Sequence, residues 1–241
     1  MRNIRNGVKW RNKATEISQT VANKLSKFIS LQLTLKFSDL VKRTFDIVFS
    51  LSVLILCAPV YIFIVGLIAI TSSGAVFFIQ RRVGKNHQHF SCIKFRTMIP
   101  NADLHLQAMM AQSEQLRQEF AENFKLKDDP RITKIGKFLR ITNLDEFPQF
   151  FNVLKGEMSV VGPRPLVPEE LIRYGKDIDR VLTIRPGITG LWQVSGRNDI
   201  PYDERIRIDV RYVKERNFWL DLQIVFKTIL LTVMTKNNGA Y

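Results

Sequence analysis

The sequence predicts an α+β, mostly helical protein: a re-entrant membrane helix hairpin attached to a small domain with a short β-hairpin and interfacial helices. Three observations predict it. Twenty-four residues from Ile47 to Ile70 carry no charge and have Pro59 at their middle; several later segments space apolar residues helically; and two short strand-like segments flank a GKNHQ turn. With 241 residues the chain can hold one sizeable core, or one core plus a small appendage. The expected division is a basic N-terminal extension over 1–40, a membrane hairpin over 41–71 and a domain over 72–241.

Residues 1–43 contain ten Lys and Arg against only Glu16 and Asp39. Within them, residues 14–37 alternate apolar residues and lysines near helical spacing, which suits an amphipathic helix on an anionic lipid surface or a flexible basic arm. The run 47–70 is long enough, at about 1.5 Å per residue, for a hydrocarbon core of roughly 30 Å. Pro59 lacks an amide donor and clashes with the preceding turn, so the helix must bend there. Basic residues stand on both sides, Lys42 and Arg43 before and Arg81, Arg82 and Lys85 after, so neither end is marked for translocation. A hairpin that enters and leaves by the same face accommodates both facts and is favoured over the alternative, a kinked single span. The apolar stretch begins only after some forty mostly polar and basic residues, unlike a signal peptide.

After the hairpin, AVFFIQRRVG and HFSCIKFRTM predict two strands. Residues 102–124 predict one helix, KDDPRITKIG a loop, and 145–155 a helix closed by Gly156. The prolines and glycines between Val161 and Asn198 predict a shaped loop region with little regular structure. Residues 203–216 and 218–234 predict two further helices, the last interfacial with Trp219 near headgroups.

The formal net charge of +14 calls for an anionic partner: nucleic acid, anionic lipid or a phosphate-bearing substrate. A nucleic-acid-binding protein would leave the uncharged run unexplained, and the chain has no recognition motif of that class. Cys57 and Cys92 are too few for a disulfide framework, and His87, His89 and His105 lack a zinc-binding spacing. A cytosolic, reducing setting follows.

The sharpest chemical feature is the adjacent pair Asp145–Glu146 in ITNLDEFPQFFNVLKGEMS. Pro148 is tolerated only in a first turn, so a helix must begin close to Asp145. Carboxylates there can simply cap the helix and complement its dipole. They can also serve chemistry, with unpaired amides holding Asp145 ionised for attack on phosphorus and Glu146 handling a proton or a divalent cation. Phosphoryl transfer needs its charge neutralised. Lys94, Arg96, Arg140, Arg164 and Arg197 lie on segments around the pair, and prolines on either side of Arg164 restrict where its guanidinium points. A basic membrane scaffold without catalysis would explain the hairpin, but has no need of an acidic pair among arginines.

KFRTM, RITNLDEFPQFFNVLKGEMSVVGPRP, RPGITGLWQVSGRND and the closing LDLQIVFKTI resemble the bacterial sugar transferases, the monotopic polyprenyl-phosphate phosphoglycosyl transferases, over roughly residues 40–241. That resemblance implies a bacterial inner-membrane enzyme with its catalytic domain on the cytoplasmic face, Mg²⁺ dependence and a two-step ping-pong reaction. Asp145 would attack the β-phosphate of a UDP-sugar and release UMP, and undecaprenyl phosphate would then accept the sugar phosphate, starting surface polysaccharide synthesis. Glu146 would complete the dyad, and Asp145 would be the Mg²⁺ ligand. Lys94, Arg140, Arg164 and Arg197 match basic positions of family motifs, and Asp221 matches the acidic residue of the closing one. The terminal NNGAY and the insert at 101–124 look most similar to enzymes that use UDP-galactose or UDP-glucose. Ala58 stands before Pro59 where the family often has Ser, which removes a hydroxyl that could repair broken backbone bonding. Larger members carry spanning helices and another domain first, so this chain resembles the catalytic unit alone.

Overall fold

A computed structural model describes residues 39–123, 126, 128–196 and 200–234, so the amphipathic segment expected over 14–37 lies outside the described residues. The chain divides into two compact units, Met1–Thr44 and Phe45–Tyr241. Of the first, only residues 39–44 are described, as the opening of helix α1; the second carries the rest of α1 and every later element.

Helix α1 (Asp39–Leu56) and helix α2 (Ala58–Thr71) meet at Cys57 with a change of direction of 63°. Pro59 lies in the first turn of α2. Without an amide hydrogen it cannot bond the carbonyl of Ile55, so the ladder breaks there. The ladder runs regularly on either side: the Cys57 amide donates to Val53 and the Tyr61 amide to Cys57, both at 2.9 Å. No single described helix is long and apolar enough to cross a membrane; the bent pair passes that test by length and composition. Ile55, Leu56, Ile62, Phe63 and Ile70 are exposed on it, while Ile64 and Ile68 are buried against Phe95 and Leu139.

The expected hairpin forms: β1 (Phe77–Val83) pairs antiparallel with β2 (His89–Phe95), Phe77 opposite Phe95 and Val83 opposite His89. Asn86 and His87 turn the chain in the left-handed region. The helix expected over 102–124 is instead two, α3 (Ala102–Gln112) and α4 (Glu114–Asn123). Ser113 takes an extended conformation between them. Its hydroxyl accepts the Leu116 amide at 3.3 Å, the work of an N-cap, which restarts rather than continues a helix.

Helix α5 (Lys134–Ile141) is not among the expected elements, and it takes up the last three residues of the KDDPRITKIG segment expected as a loop; Thr133 caps it, accepting the Gly136 amide at 2.9 Å. Helix α6 spans Gln149–Lys155 and ends on Gly156 at φ 86°, as the sequence predicts. The shaped region beyond is more regular than expected. A parallel pair links β3 (Ser159–Val161) to β4 (Gly187–Thr189), with the short helices α7 (Leu171–Tyr174) and α8 (Ile178–Val181) between them. Gly162 and Gly187 permit this pairing, since a Cβ on Gly187 would lie 2.1 Å from the Gly162 nitrogen.

Helices α9 (Tyr202–Glu215) and α10 (Phe218–Met234) close the fold. The main core joins β2, α6, β3 and α10 through Cys92, Val153, Val160 and Ile224. Buried Asp46 of α1 accepts the Ser159 hydroxyl and the Val160 amide, each at 3.0 Å, and so fixes α1 to β3. Trp219, Phe226, Ile229 and Leu230 leave an exposed apolar face on α10.

Candidate active site

The acidic pair does not begin an α-helix. Asn143 sits in the left-handed region, and Leu144–Glu146 make one 3₁₀ turn. The Glu146 amide donates to Asn143 at 3.3 Å and the Phe147 amide to Leu144 at 3.2 Å. Pro148 has no donor for an α-type bond back to Leu144, so the α-helical ladder starts only beyond it, at Gln149. The expected start at Asp145 is therefore four residues early, and Asp145 does not stand on the end of a long helix dipole.

The strand β2 and the turn bring the charges together. Lys94, on β2, donates to Glu146 Oε1 at 2.6 Å. Helix α5 supplies Arg140, whose Nε donates to Thr97 Oγ1 at 3.0 Å, just past β2. The close approach of α5 to this segment depends on Gly136, where a Cβ would lie 1.9 Å from the Thr97 carbonyl oxygen. Arg164 makes no hydrogen bond or ion pair among the described residues, which leaves its half-buried guanidinium available to an anion. The loop that carries it is braced by Arg82, whose buried guanidinium donates to the Pro165 carbonyl at 2.9 Å. Burial first, then the neighbouring Arg164, draws the Arg82 guanidinium down to about 10.

Lys94, Arg140, Asp145, Glu146 and Arg164 all line one cavity of about 980 Å³. Its walls also include Phe49 and Val53 of α1 and Val225 and Ile229 of α10, so charged and apolar side chains line the same space. Burial pushes the Asp145 carboxyl up to about 6. Lys94 opposes that shift most, Glu146 reinforces it, and Arg140 opposes it again. The charge of the carboxylate is thus favoured by neighbouring cations rather than by a helix terminus, and near neutral pH the group is ionised and more basic than an ordinary aspartate. Burial likewise lowers the Arg140 guanidinium, with Asp145 acting against the shift.

The other sequence-predicted residues are employed differently or lie apart. Arg96 lines the cavity, yet its guanidinium donates to the carbonyls of Ser72 and Ser73, both at 2.7 Å. It closes the C-terminal end of α2, and that employment is local structure rather than an open phosphate clamp. Arg197 lies outside the described residues. Asp221 is buried away from the cavity and accepts the Tyr212 hydroxyl at 2.6 Å, a link between α10 and α9. Pro59 acts at the bend between α1 and α2.

Sequence reasoning misses Arg82, Thr97, Asn143 and Gln193, all on the cavity wall. In the sequence Arg82 reads only as flanking charge, and uncharged polar side chains carry no pattern that marks them. Among the described residues no group of three or more His, Cys, Asp or Glu is placed to hold a metal ion.

The bacterial sugar transferase family model matches residues 37–235. The chain is similar to the undecaprenyl-phosphate galactose phosphotransferase of Salmonella typhimurium, with 46% identity over 213 residues, 88% of this chain and 44% of that protein. It is 43% identical over 197 residues to the exopolysaccharide production protein ExoY of Sinorhizobium fredii, covering 82% of this chain and 87% of the relative. A UDP-glucose:undecaprenyl-phosphate glucose-1-phosphate transferase of Klebsiella pneumoniae shares 38% over 206 residues, 81% of this chain and 41% of its own. The chain therefore spans less than half the length of the Salmonella and Klebsiella proteins.

Proposed function

This chain belongs to the bacterial sugar transferase family, and on that premise we propose that it is a phosphoglycosyl transferase moving hexose 1-phosphate, galactose or glucose, from a UDP-sugar to undecaprenyl phosphate. The observation that carries this reading is the cavity: two adjacent carboxylates and three cations line it together with apolar side chains of α1 and α10. Such a space suits a diphosphate donor and an amphiphilic phosphate acceptor together.

In the first step an Asp145 oxygen attacks the β-phosphorus. The bond from that phosphorus to the bridging oxygen breaks, UMP leaves with the oxygen, and an aspartyl sugar phosphate remains. In the second step a phosphate oxygen of the lipid attacks the same phosphorus, the bond to Asp145 breaks, and the carboxylate is regenerated as the lipid diphosphate sugar departs. Lys94 keeps Glu146 oriented, and Glu146 takes a proton from the incoming lipid phosphate. Arg140 and Arg164 meet the charge that builds on the phosphoryl oxygens.

Mg²⁺ fits the donor set. It takes one or two carboxylates and completes its shell with phosphate oxygens and water, and Asp145 with Glu146 offers such a pair without an all-protein cage. When bound it would neutralise diphosphate charge, and Asp145 would be its main protein ligand. The bent pair α1–α2, with its exposed apolar side chains, supports a re-entrant attachment at the cytoplasmic face of the inner membrane, and anionic lipid would attract the basic residues that precede it.

The test is incubation of purified protein with UDP-galactose or UDP-glucose labelled in the β-phosphate, without lipid. The expected result is UMP equal to the enzyme present and label held on Asp145, absent in Asp145→Asn. No protein-bound label before lipid phosphate is added, followed by label transfer to lipid once it is, would overturn the two-step reading.

A further inference from the structure

The strand that carries Lys94 has a free edge. β1 pairs with one side of β2, and among the described residues no third strand covers the other. A single side chain covers it instead. Asn152 of α6 is fully buried; its Oδ1 accepts the Ile93 amide at 3.1 Å, and its Nδ2 donates to the Ser91 carbonyl at 2.7 Å. The remaining Nδ2 hydrogen goes to Glu157 Oε2 at 2.6 Å. Exchanging the two amide atoms would set an oxygen against two acceptors, so the orientation is fixed by its partners.

The side chain mimics one residue of a neighbouring strand, satisfying the amide and carbonyl two residues apart that face outward from β2. Its own helix follows directly on the acidic turn, and Ile93 directly precedes Lys94. We propose that Asn152 is a positioning residue for the reaction: it locks α6 to the edge of β2 and thereby sets where Lys94 meets the Asp145–Glu146 pair. The inference rests on the phosphoglycosyl transfer reading for the chemistry it serves.

A 1 Å displacement of such groups can lower a rate by about two orders of magnitude. Truncation of Asn152 also leaves a buried amide and carbonyl unpaired, so loss of folded protein must be told apart from loss of alignment. Single-turnover release of UMP separates them, because its amplitude counts folded enzyme and its rate constant reads alignment. Asn152→Ala is compared with Val153→Ala, an equally buried core truncation on the same helix. The expected result is a rate constant at least ~10-fold lower in Asn152→Ala with its amplitude largely kept, against a reduced amplitude and near-normal rate constant in Val153→Ala. If Asn152→Ala loses amplitude alone, the positioning role is overturned and the enzyme reading stands. If the wild type itself releases no UMP, the enzyme reading fails and takes this role with it.

Discussion

Lys94 Nζ lies 2.6 Å from Glu146 Oε1, and the same ammonium is the strongest influence holding down the proton affinity of Asp145. One cation thus serves both acids, orienting the second and keeping the first ionised. Lys94→Met keeps the length of the side chain and removes the charge. Asp145 should then bind its proton more tightly, and the acid limb of the first half-reaction should move to higher pH. At pH 7 the rate should fall on the order of a hundredfold, since both orientation and charge are lost. UMP release followed across pH 5–9 measures both effects, and an unmoved limb would separate Lys94 from Asp145.

The Asp145 carboxyl, raised from 3.8 to about 6, has a consequence for stability as well as for rate. The folded protein binds this proton more tightly than the unfolded chain does. The contribution of the group is therefore most favourable below about 3.8 and is lost as pH rises toward 6. Above that, the ionised carboxylate is a destabilising feature retained for function. Asp145→Asn should be inactive yet more stable than wild type at pH 8 by on the order of 1–3 kcal/mol, the lower end being favoured because the cavity admits water. That advantage should shrink toward pH 4. Chemical denaturation at the two pH values checks the sign, and kcat/KM for UMP release by wild type should fall about tenfold per unit below pH 6.

Much of this arrangement is legible in the sequence. Helix α10 runs over Phe218–Met234 as its apolar spacing predicts, and the hairpin follows its turn signal, because both are set by local sequence pattern. Residues that act through non-local backbone contacts leave no such trace. Arg96 and Arg164 look alike in sequence, but only the fold reveals that one closes α2 through Ser72 and Ser73 while the other makes no hydrogen bond or ion pair among the described residues. Asn152 reads as an ordinary helix residue until β2 is placed beside it. Helix α5 is hidden because Gly136, a poor helix former, sits in its first turn for the sake of packing against Thr97.

That packing makes Gly136→Ala a test of how Arg140 is placed. Helix propensity alone would make the substitution favourable by up to about 1 kcal/mol. The added Cβ would instead meet the Thr97 carbonyl oxygen, which is backbone and cannot swing aside. α5 must move, stretching the bond from Arg140 Nε to Thr97 Oγ1. The net outcome should be a loss of about 1–3 kcal/mol in stability, with weaker donor binding. Thermal denaturation and the KM for UDP-sugar report the two effects, and a stabilised variant would contradict the close contact of Gly136 with Thr97.

The bend at Cys57 gives the last prediction. Pro59→Leu restores a donor that can reach the Ile55 carbonyl and removes the ring that clashes with the previous turn. Nothing else in the apolar run resists a continuous helix, since its residues are uncharged from Ile47 to Ile70. A straight helix of that length spans the hydrocarbon core and would carry the residues after Thr71 to the far side. In cells bearing Cys57→Ser and Cys92→Ala, with Ser73→Cys as the single thiol, the parent chain should be labelled by a membrane-impermeant maleimide only after the cytoplasmic face is opened. The Pro59→Leu version should gain labelling from outside in at least part of the population, with a matching loss of UMP release. Labelling from outside in the parent chain would exclude the re-entrant form, because the hairpin requires both of its ends on one face.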